Sequence, residues 1–343
     1  MKIVFSGGGT AGHVTPNLAL IDKLQNEQIF YIGTNGMEKT LTAPYVEQGK
    51  IREYCEISAD KLQRKLTLRN LALPFKLVKS VRQAKRHLRQ IRPDVIFSKG
   101  GYVGLPTVIA GKQLGIPTVI HERDMSLGLA NKICARFASD FLSAFPCDKR
   151  AHVVGLIIRD EILHGDKTKG LATMGFDGNK PVLLVTGGSL GAKALNEAIL
   201  NCKKLADRFD IFVITGKNKS MVCDFVKQAE FVTNMNDILA ATDVCLTRAG
   251  SNTLAELTLT EVPFVTVPLV KQSRGEQIKN AQWFVTRGCG LQLTEENLVE
   301  KLPNAINVAY DNRATIQTKQ RAFKSLYGTD KTVAEILKYK PNT

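Results

Sequence analysis

One structural unit occurs twice in this 343-residue chain, and this repeat constrains the fold more than any other sequence feature. The segments SGGGTAGHVTPNLAL (6–20) and TGGSLGAKALNEAIL (186–200) each follow an apolar run, share a Gly-Gly-[Ser/Thr]-x-Gly core and continue into a leucine-bearing stretch. A strand, a glycine turn and a helix in this order direct backbone N–H groups and a helix N-terminus towards an anion. The repeat predicts an α/β protein with two similar, doubly wound parallel-sheet domains.

Apolar runs alternate with amphipathic segments along the chain, which is typical of parallel sheets with helices on both faces. The first helix is expected to begin near Pro16, and another is expected at Ala192–Leu205. The runs predicted as strands are Lys2–Ser6, Gln28–Ile32, Ile51–Ser58, Asp94–Ser98, Pro117–His121, His152–Gly155, the run from Pro181 to the second glycine turn, Asp210–Thr215, Asp243–Thr247 and Pro263–Val267.

The alternating pattern pauses near Val154–Asp160, and the following segment, Gly165–Lys180, is polar and contains glycine. Because the chain is longer than a typical single domain, we expect two domains. We place an N-terminal domain at 1–158 and a C-terminal domain at 159–328, with a cleft between their loop-rich strand ends. The segment 329–343 is predicted to form a helix that packs back on the first domain.

The composition is that of a globular protein, with 44% hydrophobic and 23% charged residues. No apolar run approaches the roughly 18–20 residues that span a bilayer, and no signal-peptide pattern precedes the first strand, so we expect a cytoplasmic location. The seven cysteines occur singly, which favours reduced thiols over disulfides or a zinc site. The net charge of +15 predicts an anionic partner: nucleic acid, a phosphorylated substrate or an anionic membrane.

The positive charge is concentrated in Lys61–Arg92, which contains eleven Lys or Arg residues and no Asp or Glu. Within it, Leu66–Val81 mixes leucines and Phe75 with flanking cations, and an apolar face with a cationic rim is typical of an interfacial membrane contact. Nucleic acid is the competing partner, although Phe75 is the one aromatic residue among the cations. An ordinary core helix with a solvated basic face is the third interpretation.

His13 adds chemistry to the first glycine turn, because imidazole moves protons near neutral pH. The glycines of Gly7–Gly12 also satisfy the G-x-G-x-x-G pattern of dinucleotide sites. However, the run Gln28–Ile32 ends without the carboxylate that would hold a ribose. A purely structural tight turn is a further alternative.

Two more strand ends are expected beside this loop in the first domain. Ser98–Tyr102 contains a second glycine turn, and His121–Asp124 ends the next predicted strand. Within the latter segment, Glu122 either orients a catalytic group or pairs with Arg123. Together these strand ends predict a pocket that carries His13.

Two helix N-termini in the second half, at Gly187–Gly191 and Arg248–Thr253, are predicted to hold a diphosphate. The chain contains no D-x-D pair, so no divalent metal is expected there. Glu256 would accept hydrogen bonds from a ribose diol, or it complements the helix dipole.

Three other polar residues of the second half are candidates for the same site. Gln277 and Asn280 share a helix face and suit sugar hydroxyls, although a solvated helix face has the same pattern. Arg159 would reach a phosphate from the hinge, or it is an ordinary surface residue.

Six segments in this order resemble the MurG family of glycosyltransferases over essentially the whole chain. They are GGGTAGH (7–13), SKGGYVGLP (98–106), HERDMSLGLANK (121–132), GGSLGAKALN (187–196), RAGSNTLAE (248–256) and QSRGEQIKNA (272–281). The resemblance implies a GT-B fold and no cofactor or metal. It also implies inverting transfer of N-acetylglucosamine from UDP-N-acetylglucosamine to the C4 hydroxyl of the MurNAc moiety of lipid I, giving lipid II at the cytoplasmic face of the cell membrane.

The resemblance also implies roles for individual residues. His13 is the expected base, and Glu122, from its position at a strand end, is the second candidate catalytic residue. The expected donor-binding residues are Thr10, Ala11, Gly12, Arg159, Ser189, Val232 (against uracil), Ser251, Asn252, Thr253, Glu256, Gln277 and Asn280. The expected acceptor-binding residues are Gly8, Gly9, Gly100, Gly101, Tyr102 and Asp124.

The chain departs from the family pattern at several positions. Gly104 stands where many members have Ser, Arg123-Asp124 replaces a Gln-Asn pair, and Glu276 replaces an amide. These departures leave the sugar contacts open. Two alternatives to the MurG activity also stay open: a GT-B enzyme with another lipid acceptor, such as a diacylglycerol glucosyltransferase, and a non-enzymatic module that binds a nucleotide sugar or nucleic acid.

Overall fold

The computed structural model describes residues 1–60, 73–188, 191–217, 220–270 and 275–341. The chain divides into two compact units, which are described separately. Unit 1 consists of Met1–Ile158 and Tyr327–Thr343, and unit 2 consists of Arg159–Leu326.

In unit 1, the described residues form one parallel sheet of seven strands in the order β3-β2-β1-β4-β5-β6-β7. The strands are β1 (Lys2–Ser6), β2 (Gln28–Gly33), β3 (Glu53–Glu56), β4 (Val95–Ser98), β5 (Thr118–Glu122), β6 (Asp140–Ser143) and β7 (His152–Val153). The helices are α1 (Ala11–Lys23), α2 (Met37–Glu47), α3 (Leu73–Ile91), α4 (Gly101–Leu114), α5 (Leu129–Cys134) and, at the chain end, α13 (Thr329–Leu337). The strand order reverses between β1 and β4, and ligands of such sheets bind at that crevice.

In unit 2, the strand order among the described residues is β10-β9-β8-β11-β12-β13, with the reversal between β8 and β11. The strands are β8 (Val182–Thr186), β9 (Asp210–Ile214), β10 (Lys227–Ala229), β11 (Val244–Thr247), β12 (Phe264–Thr266) and β13 (Gly290–Gln292). The helices are α6 (Lys167–Met174), α7 (Lys193–Leu200), α8 (Met235–Ala241), α9 (Ser251–Leu259), α10 (Glu276–Val285), α11 (Leu298–Asp311) and α12 (Arg313–Arg321), with 3₁₀ turns at Asp160–Leu163, Lys203–Asp207 and Lys324–Leu326.

The sequence pattern of each element follows from its burial. Strands β1 and β4 are covered on both faces, so they are almost continuously apolar. Helix α3 buries one stripe at helical spacing, formed by Val81, Ala84 and Leu88, while its opposite face is basic. Within the described residues, no helix combines the length and apolar character needed to cross a membrane.

The predicted α/β class with two doubly wound sheets is confirmed, but several predicted elements differ. Strands β6, β10 and β13 were not predicted, since each has at most four residues and β10 (KQA) has no apolar pattern. Strand β3 is shorter than the predicted Ile51–Ser58. The expected helix Ala192–Leu205 is wrong beyond Leu200, because the α-helix ends there and a separate 3₁₀ turn follows at Lys203–Asp207.

Helix α1 begins at Ala11, five residues earlier than predicted. Thr10 is extended and marks the start of the helix, while Pro16 lies inside it. A proline there cannot bond to the Gly12 carbonyl, and its ring crowds that carbonyl, yet the helix continues through it to Lys23. His13 consequently lies in the first helical turn and not in a loop.

Candidate active site

His13 lies at the carboxyl end of β1, on the first turn of α1, and is half-buried. Its Nδ1 is 2.8 Å from the Thr10 hydroxyl, and its backbone N–H donates to the Thr10 carbonyl at 3.0 Å. When Nδ1 carries the proton and donates to Thr10, the lone pair of Nε2 is the basic site. The ring faces the second glycine turn, since a Cβ at Gly101 would lie 3.7 Å from Nε2.

The second glycine turn follows β4 and needs glycine at both positions. Gly100 and Gly101 have φ of 78° and 75°. The Gly100 N–H donates to the Ser98 hydroxyl at 3.0 Å, and a Cβ at Gly100 would lie only 1.5 Å from Oδ1 of Asn131. Asn131 is not among the site residues expected from the sequence, although it lies in the 121–132 segment. It shapes this turn by occupying the space a side chain would need.

The departure at Gly104 has a simple explanation in the packing of this turn. A Cβ at Gly104 would lie 2.3 Å from the Ser98 hydroxyl oxygen. The glycine therefore makes room for Ser98, which supplies a hydroxyl to the turn from the strand side.

The two glycine turns interlock. Gly9 has φ of 79°, and a Cβ there would lie 2.4 Å from the Tyr102 ring. Burial raises the pKa of the Tyr102 hydroxyl, with an added contribution from the negative charge of Glu38. The structure thus brings together His13, Gly9, Gly101 and Tyr102.

Lys99 and His121 form a buried pair behind the second turn. Nζ of Lys99 is 2.6 Å from Nδ1 of His121, whose Nε2 is 2.9 Å from the Gly155 carbonyl. The carbonyl only accepts, so Nε2 carries the proton and Nδ1 accepts from Lys99. Burial lowers the pKa of Lys99, helped by repulsion from the Arg123 guanidinium, and burial lowers the pKa of His121 well below its usual range.

Glu122 organises the loop after β5. Its carboxylate accepts the N–H groups of Arg123 and Asp124 at 2.9 and 3.1 Å. It also accepts the N–H of Gly128 at 3.3 Å and the Asn131 amide at 2.9 Å. Burial raises its pKa. The alternative of a side-chain pair between Glu122 and Arg123 is wrong, because the Arg123 guanidinium contacts Asp124 at 3.4 Å.

The Arg123 guanidinium also covers the start of α1. A Cβ at Gly12 would lie 1.6 Å from its Nη1 atom. Gly12, Arg123 and Asp124 therefore lie beside one another at the helical turn that carries His13. Ala11, the residue before Gly12, is the first residue of the helix. Thr10, which precedes the helix, is exposed.

In unit 2, the turn after β8 is described up to Gly188, and Ser189 lies outside the described residues. Gly188 has φ of 75° and no atom within 4 Å of where a Cβ would be. By contrast, a Cβ at Gly191 would lie 2.1 Å from the Thr215 carbonyl oxygen. The first of these glycines leaves open space at the strand end, and the second permits close backbone packing.

Helix α9 presents a free N-terminus at the end of β11. Its N-cap, Gly250, is extended, and the first turn has no side-chain cap and no acidic residue. Ser251 is buried there, Thr253 is half-buried, and Oδ1 of Asn252 is buried without a hydrogen-bond partner among the described residues. Such an N-terminus attracts an anion.

Asn280 lies inside the fold. It is 1% exposed, and its amide donates to the Ala249 carbonyl at 3.2 Å. The structure therefore places it behind the loop that precedes α9, and its expected contact with the sugar beside Gln277 stays a prediction. Gln277 is half-buried, and its Oε1 accepts the Leu269 N–H at 2.9 Å.

Glu256 and Arg159 lie close enough to influence each other. Burial raises the pKa of the Glu256 carboxyl to about 7, and the positive charge of Arg159 opposes this rise. Arg159 is 3.7 Å from Glu161, a long ion-pair distance. Glu256 is thus a half-buried carboxylate near the free N-terminus of α9.

Val232 follows the edge strand β10 and lines a groove of about 590 Å³ with Met174, Phe231 and Asn234. Its half-buried side chain gives the groove an apolar wall. Across the described ranges of both units, no cluster of His, Cys, Asp or Glu residues is arranged to hold a metal ion.

Comparison with known proteins identifies related sequences along most of the chain. Residues 3–143 match the glycosyltransferase family 28 N-terminal domain, and residues 182–336 match the C-terminal domain of that family. The chain is 39% identical to the UDP-N-acetylglucosamine–N-acetylmuramyl-(pentapeptide) pyrophosphoryl-undecaprenol N-acetylglucosamine transferase of Staphylococcus haemolyticus, over 98% of this chain and 99% of that protein.

A second relative and a solved structure extend this similarity. The transferase of the same name from Oceanobacillus iheyensis is 42% identical, over 88% of this chain and 87% of that one. The crystal structure of Acinetobacter baumannii MurG has a TM-score of 0.75 and 26% identity, over 98% of this chain and 99% of that chain.

Proposed function

Because the chain belongs to glycosyltransferase family 28, we propose that it transfers N-acetylglucosamine from UDP-N-acetylglucosamine to lipid I, giving lipid II. The resemblance to MurG enzymes predicted from the sequence is confirmed by the relatives, and the GT-B fold class by the two parallel-sheet units and their structural neighbour. The observation that carries the proposal is His13, whose ring faces the glycine turn at the strand-order reversal of unit 1.

His13 acts as the general base of a direct displacement with inversion. The C4 hydroxyl of the MurNAc moiety attacks the anomeric carbon, its proton passes to Nε2 of His13, and the bond to UDP breaks. In this mechanism Nδ1 donates its proton to the Thr10 hydroxyl, which leaves Nε2 unprotonated before the reaction. General base catalysis of this kind contributes about 10²–10⁴-fold to the rate.

Unit 2 binds the donor. The free N-terminus of α9, with Ser251, Asn252 and Thr253, holds the diphosphate and stabilises the charge that develops on departing UDP. Glu256 accepts hydrogen bonds from the ribose diol, and Gln277 contacts the sugar. The remaining proposed donor contacts are Arg159, Ser189 and Val232 and, from the N-terminal unit, Thr10, Ala11 and Gly12.

Unit 1 binds the acceptor. Its head group lies along Gly8, Gly9, Gly101 and Tyr102, and its diphosphate is attracted by the N-terminus of α4 and the Lys99 ammonium behind it. Gly100 and Asp124 complete this surface. The acceptor's hydroxyl then meets Nε2 of His13.

The N-terminal end of α3 rests on the cytoplasmic face of the cell membrane. Phe75 is 81% exposed and Val78 is 48% exposed, and both lie among cations. The exposed cations of this helix are Lys76, Lys79, Arg82, Arg86 and Arg89. An exposed apolar pair within a basic face favours an anionic lipid surface over nucleic acid, which needs stacking aromatics.

The test is UDP release from UDP-N-acetylglucosamine with a lipid I analogue, for the wild type and His13→Ala, each with and without EDTA. We expect acceptor-dependent, EDTA-resistant turnover that falls roughly a hundredfold in the variant. Absence of acceptor-dependent turnover in the wild type would refute the proposed acceptor and favour another lipid-directed glycosyltransferase. Unchanged turnover in His13→Ala would refute the assignment of His13 as the base but would leave the proposed enzymatic activity intact.

A further inference from the structure

The proposed mechanism gives no role to a buried carboxylate that lies against the first glycine loop. Glu38 lies in the first turn of α2, the helix that follows β2, and its side chain is fully buried. No Lys, Arg or His of the described residues forms an ion pair with it. A carboxylate without a cation partner is costly to bury unless hydrogen bonds compensate.

The compensating hydrogen bonds come from the chain around the active site. Oε2 of Glu38 accepts the N–H of Gly9 at 3.0 Å. Oε1 accepts the N–H of Thr34 at 2.9 Å and also the Thr34 hydroxyl. One carboxylate therefore ties the first glycine loop to the end of β2.

The glycines around this carboxylate are needed for the contact. A Cβ at Gly8 would lie 2.4 Å from Cδ of Glu38, and a Cβ at Gly33 would lie 2.9 Å from its Cγ. The loop backbone rests directly on the carboxylate. Tyr31 also supports the position of this loop, because its hydroxyl donates to the Gly7 carbonyl.

These contacts change the expected use of the first loop. The Gly9 N–H points inward to a negative charge, so it is not available to a phosphate, and the charge behind it repels one. The second turn has the opposite arrangement, with the amine of Lys99 behind it. The first turn therefore lies against an acidic group, the Glu38 carboxylate, and the second turn lies against a basic group, the Lys99 amine.

We propose that Glu38 is a positioning residue that fixes the first glycine loop for His13 and directs the acceptor's diphosphate to the second turn. This inference rests on the proposed function. When His13 takes the proton of the acceptor hydroxyl, its ring becomes positive, and the negative charge of Glu38 stabilises that state. The other titratable or charged groups around Glu38 and the loop are Tyr31 on β2, Tyr54 on β3, Tyr102 on α4, Lys99 after β4, and Glu122, Arg123 and Asp124 at the end of β5.

The matched variants are Glu38→Gln, Thr34→Ala and Glu47→Gln. Thr34→Ala removes the hydroxyl that donates to the same carboxylate but keeps the bond from the Gly9 N–H, and Glu47 is an exposed residue at the end of α2. With UDP-N-acetylglucosamine and a lipid I analogue, we expect Glu38→Gln to lower kcat at least tenfold, with the donor KM within twofold of the wild type. The two controls are expected to keep kcat within threefold.

Histidine NMR supplies a measurement that does not depend on turnover. The chain has five histidines, so the ring signal of His13 is assigned by comparison with His13→Ala. We expect the pKa of His13 to be lower in Glu38→Gln than in the wild type, and unchanged in Glu47→Gln. Should Glu38→Gln not fold, Glu38→Asp keeps the charge and is expected to preserve the pKa of His13 while lowering kcat.

The outcomes separate this inference from the proposed function. Wild-type kcat and an unchanged pKa of His13 in Glu38→Gln would overturn the positioning role. Equal losses of kcat in Glu38→Gln and Thr34→Ala would do the same, because they would show a structural role only. A wild type without acceptor-dependent turnover would instead refute the proposed function, while the NMR comparison would still test the link between Glu38 and His13.

Discussion

Nζ of Lys99 lies 2.6 Å from Nδ1 of His121, and both side chains are essentially inaccessible to solvent. The pair lies behind the glycine turn at the strand-order reversal of unit 1, where an anionic ligand is expected. Burial makes the charged form of Lys99 expensive, so an approaching diphosphate would favour protonation of this amine. Substrate binding and the protonation of Lys99 are therefore coupled.

Replacement of Lys99 by Met is expected to raise the acceptor KM on the order of tenfold while leaving the donor KM unchanged, because one charge near the diphosphate is lost. The measurement is steady-state kinetics with both substrates varied. Lys112→Met is the control, since Lys112 is an exposed cation on α4. An acceptor KM that changes equally in both variants would contradict the assignment.

The lowered pKa of Lys99 also predicts a dependence of stability on pH. The folded state holds this proton less tightly than the unfolded state, whose lysine has the ordinary value of 10.5. Between the lowered folded pKa and 10.5 the unfolded chain binds more protons, so the free energy of unfolding rises with pH from this group. Urea unfolding at several alkaline pH values should show a smaller rise in Lys99→Met than in the wild type.

Glu256→Gln separates the stability and binding effects of a half-buried carboxyl. Its pKa is raised from 4.5 to about 7, so the folded state disfavours the charged form and the free energy of unfolding falls as pH rises through this window. At pH 8 the variant is expected to be more stable by up to about 3 kcal/mol. Its KM for the donor should nevertheless rise, because the neutral amide is a weaker acceptor for the ribose diol. Increased stability without a change in donor KM would argue against the ribose contact.

Thr10→Val tests the control of the His13 tautomer. The variant removes the hydroxyl 2.8 Å from Nδ1, so part of the population would carry its proton on Nε2. We expect kcat to fall roughly tenfold, less than the drop in His13→Ala, because the base itself is retained. Thr15→Val on the same helix is the control. A loss as large as that of His13→Ala would indicate that Thr10 does more than orient the ring.

Phe75→Ser is expected to weaken binding to phosphatidylglycerol vesicles about tenfold or more, since transfer of a Phe side chain from water is worth roughly 1.5–3 kcal/mol. Co-sedimentation with vesicles measures this effect. The matched control is Phe231→Ser, which removes a phenylalanine that is 70% exposed in unit 2. Equal binding by all three proteins, or tighter binding to duplex DNA than to vesicles, would refute the membrane surface at α3.

Gly100→Ala and Gly115→Ala compare two glycines with positive φ on either end of α4. A Cβ at Gly100 would meet Asn131, whereas Gly115 has open space around it. Gly115→Ala should cost only the left-handed conformation, about 1 kcal/mol. Gly100→Ala should lower the free energy of unfolding by more than this, measured by urea denaturation. A similar cost in both variants would show that Asn131 moves aside easily.

The sequence predicted those strands whose burial leaves a local pattern of apolar residues. Strand β1 has its predicted bounds, Lys2–Ser6, because a strand covered on both faces is a continuous apolar run. Edge strand β10 was not predicted, because a partly exposed, mostly polar strand of three residues has no such pattern. Its position is determined by pairing with β9.

The same distinction holds for the candidate site. The first glycine turn and His13 are adjacent in sequence, and their residue types alone indicate a segment that serves an anion or a proton transfer. The contact of Glu38 with Gly9 joins residues 29 positions apart, and Lys99 meets His121 across 22 positions. Such contacts arise only when the strands align, so a single sequence, read without an alignment, contains no local signal for them.

The return of α13 to unit 1 has a consequence for biosynthesis. Thr329 exchanges two hydrogen bonds with the backbone of Ile158, and Ile336 is fully buried in the core around β1. A ribosome makes the strands of unit 1 first, but it must complete all of unit 2 before α13 emerges. The first unit to be synthesised is therefore the last to be completed, and its core around β1 lacks one helix for most of the translation time.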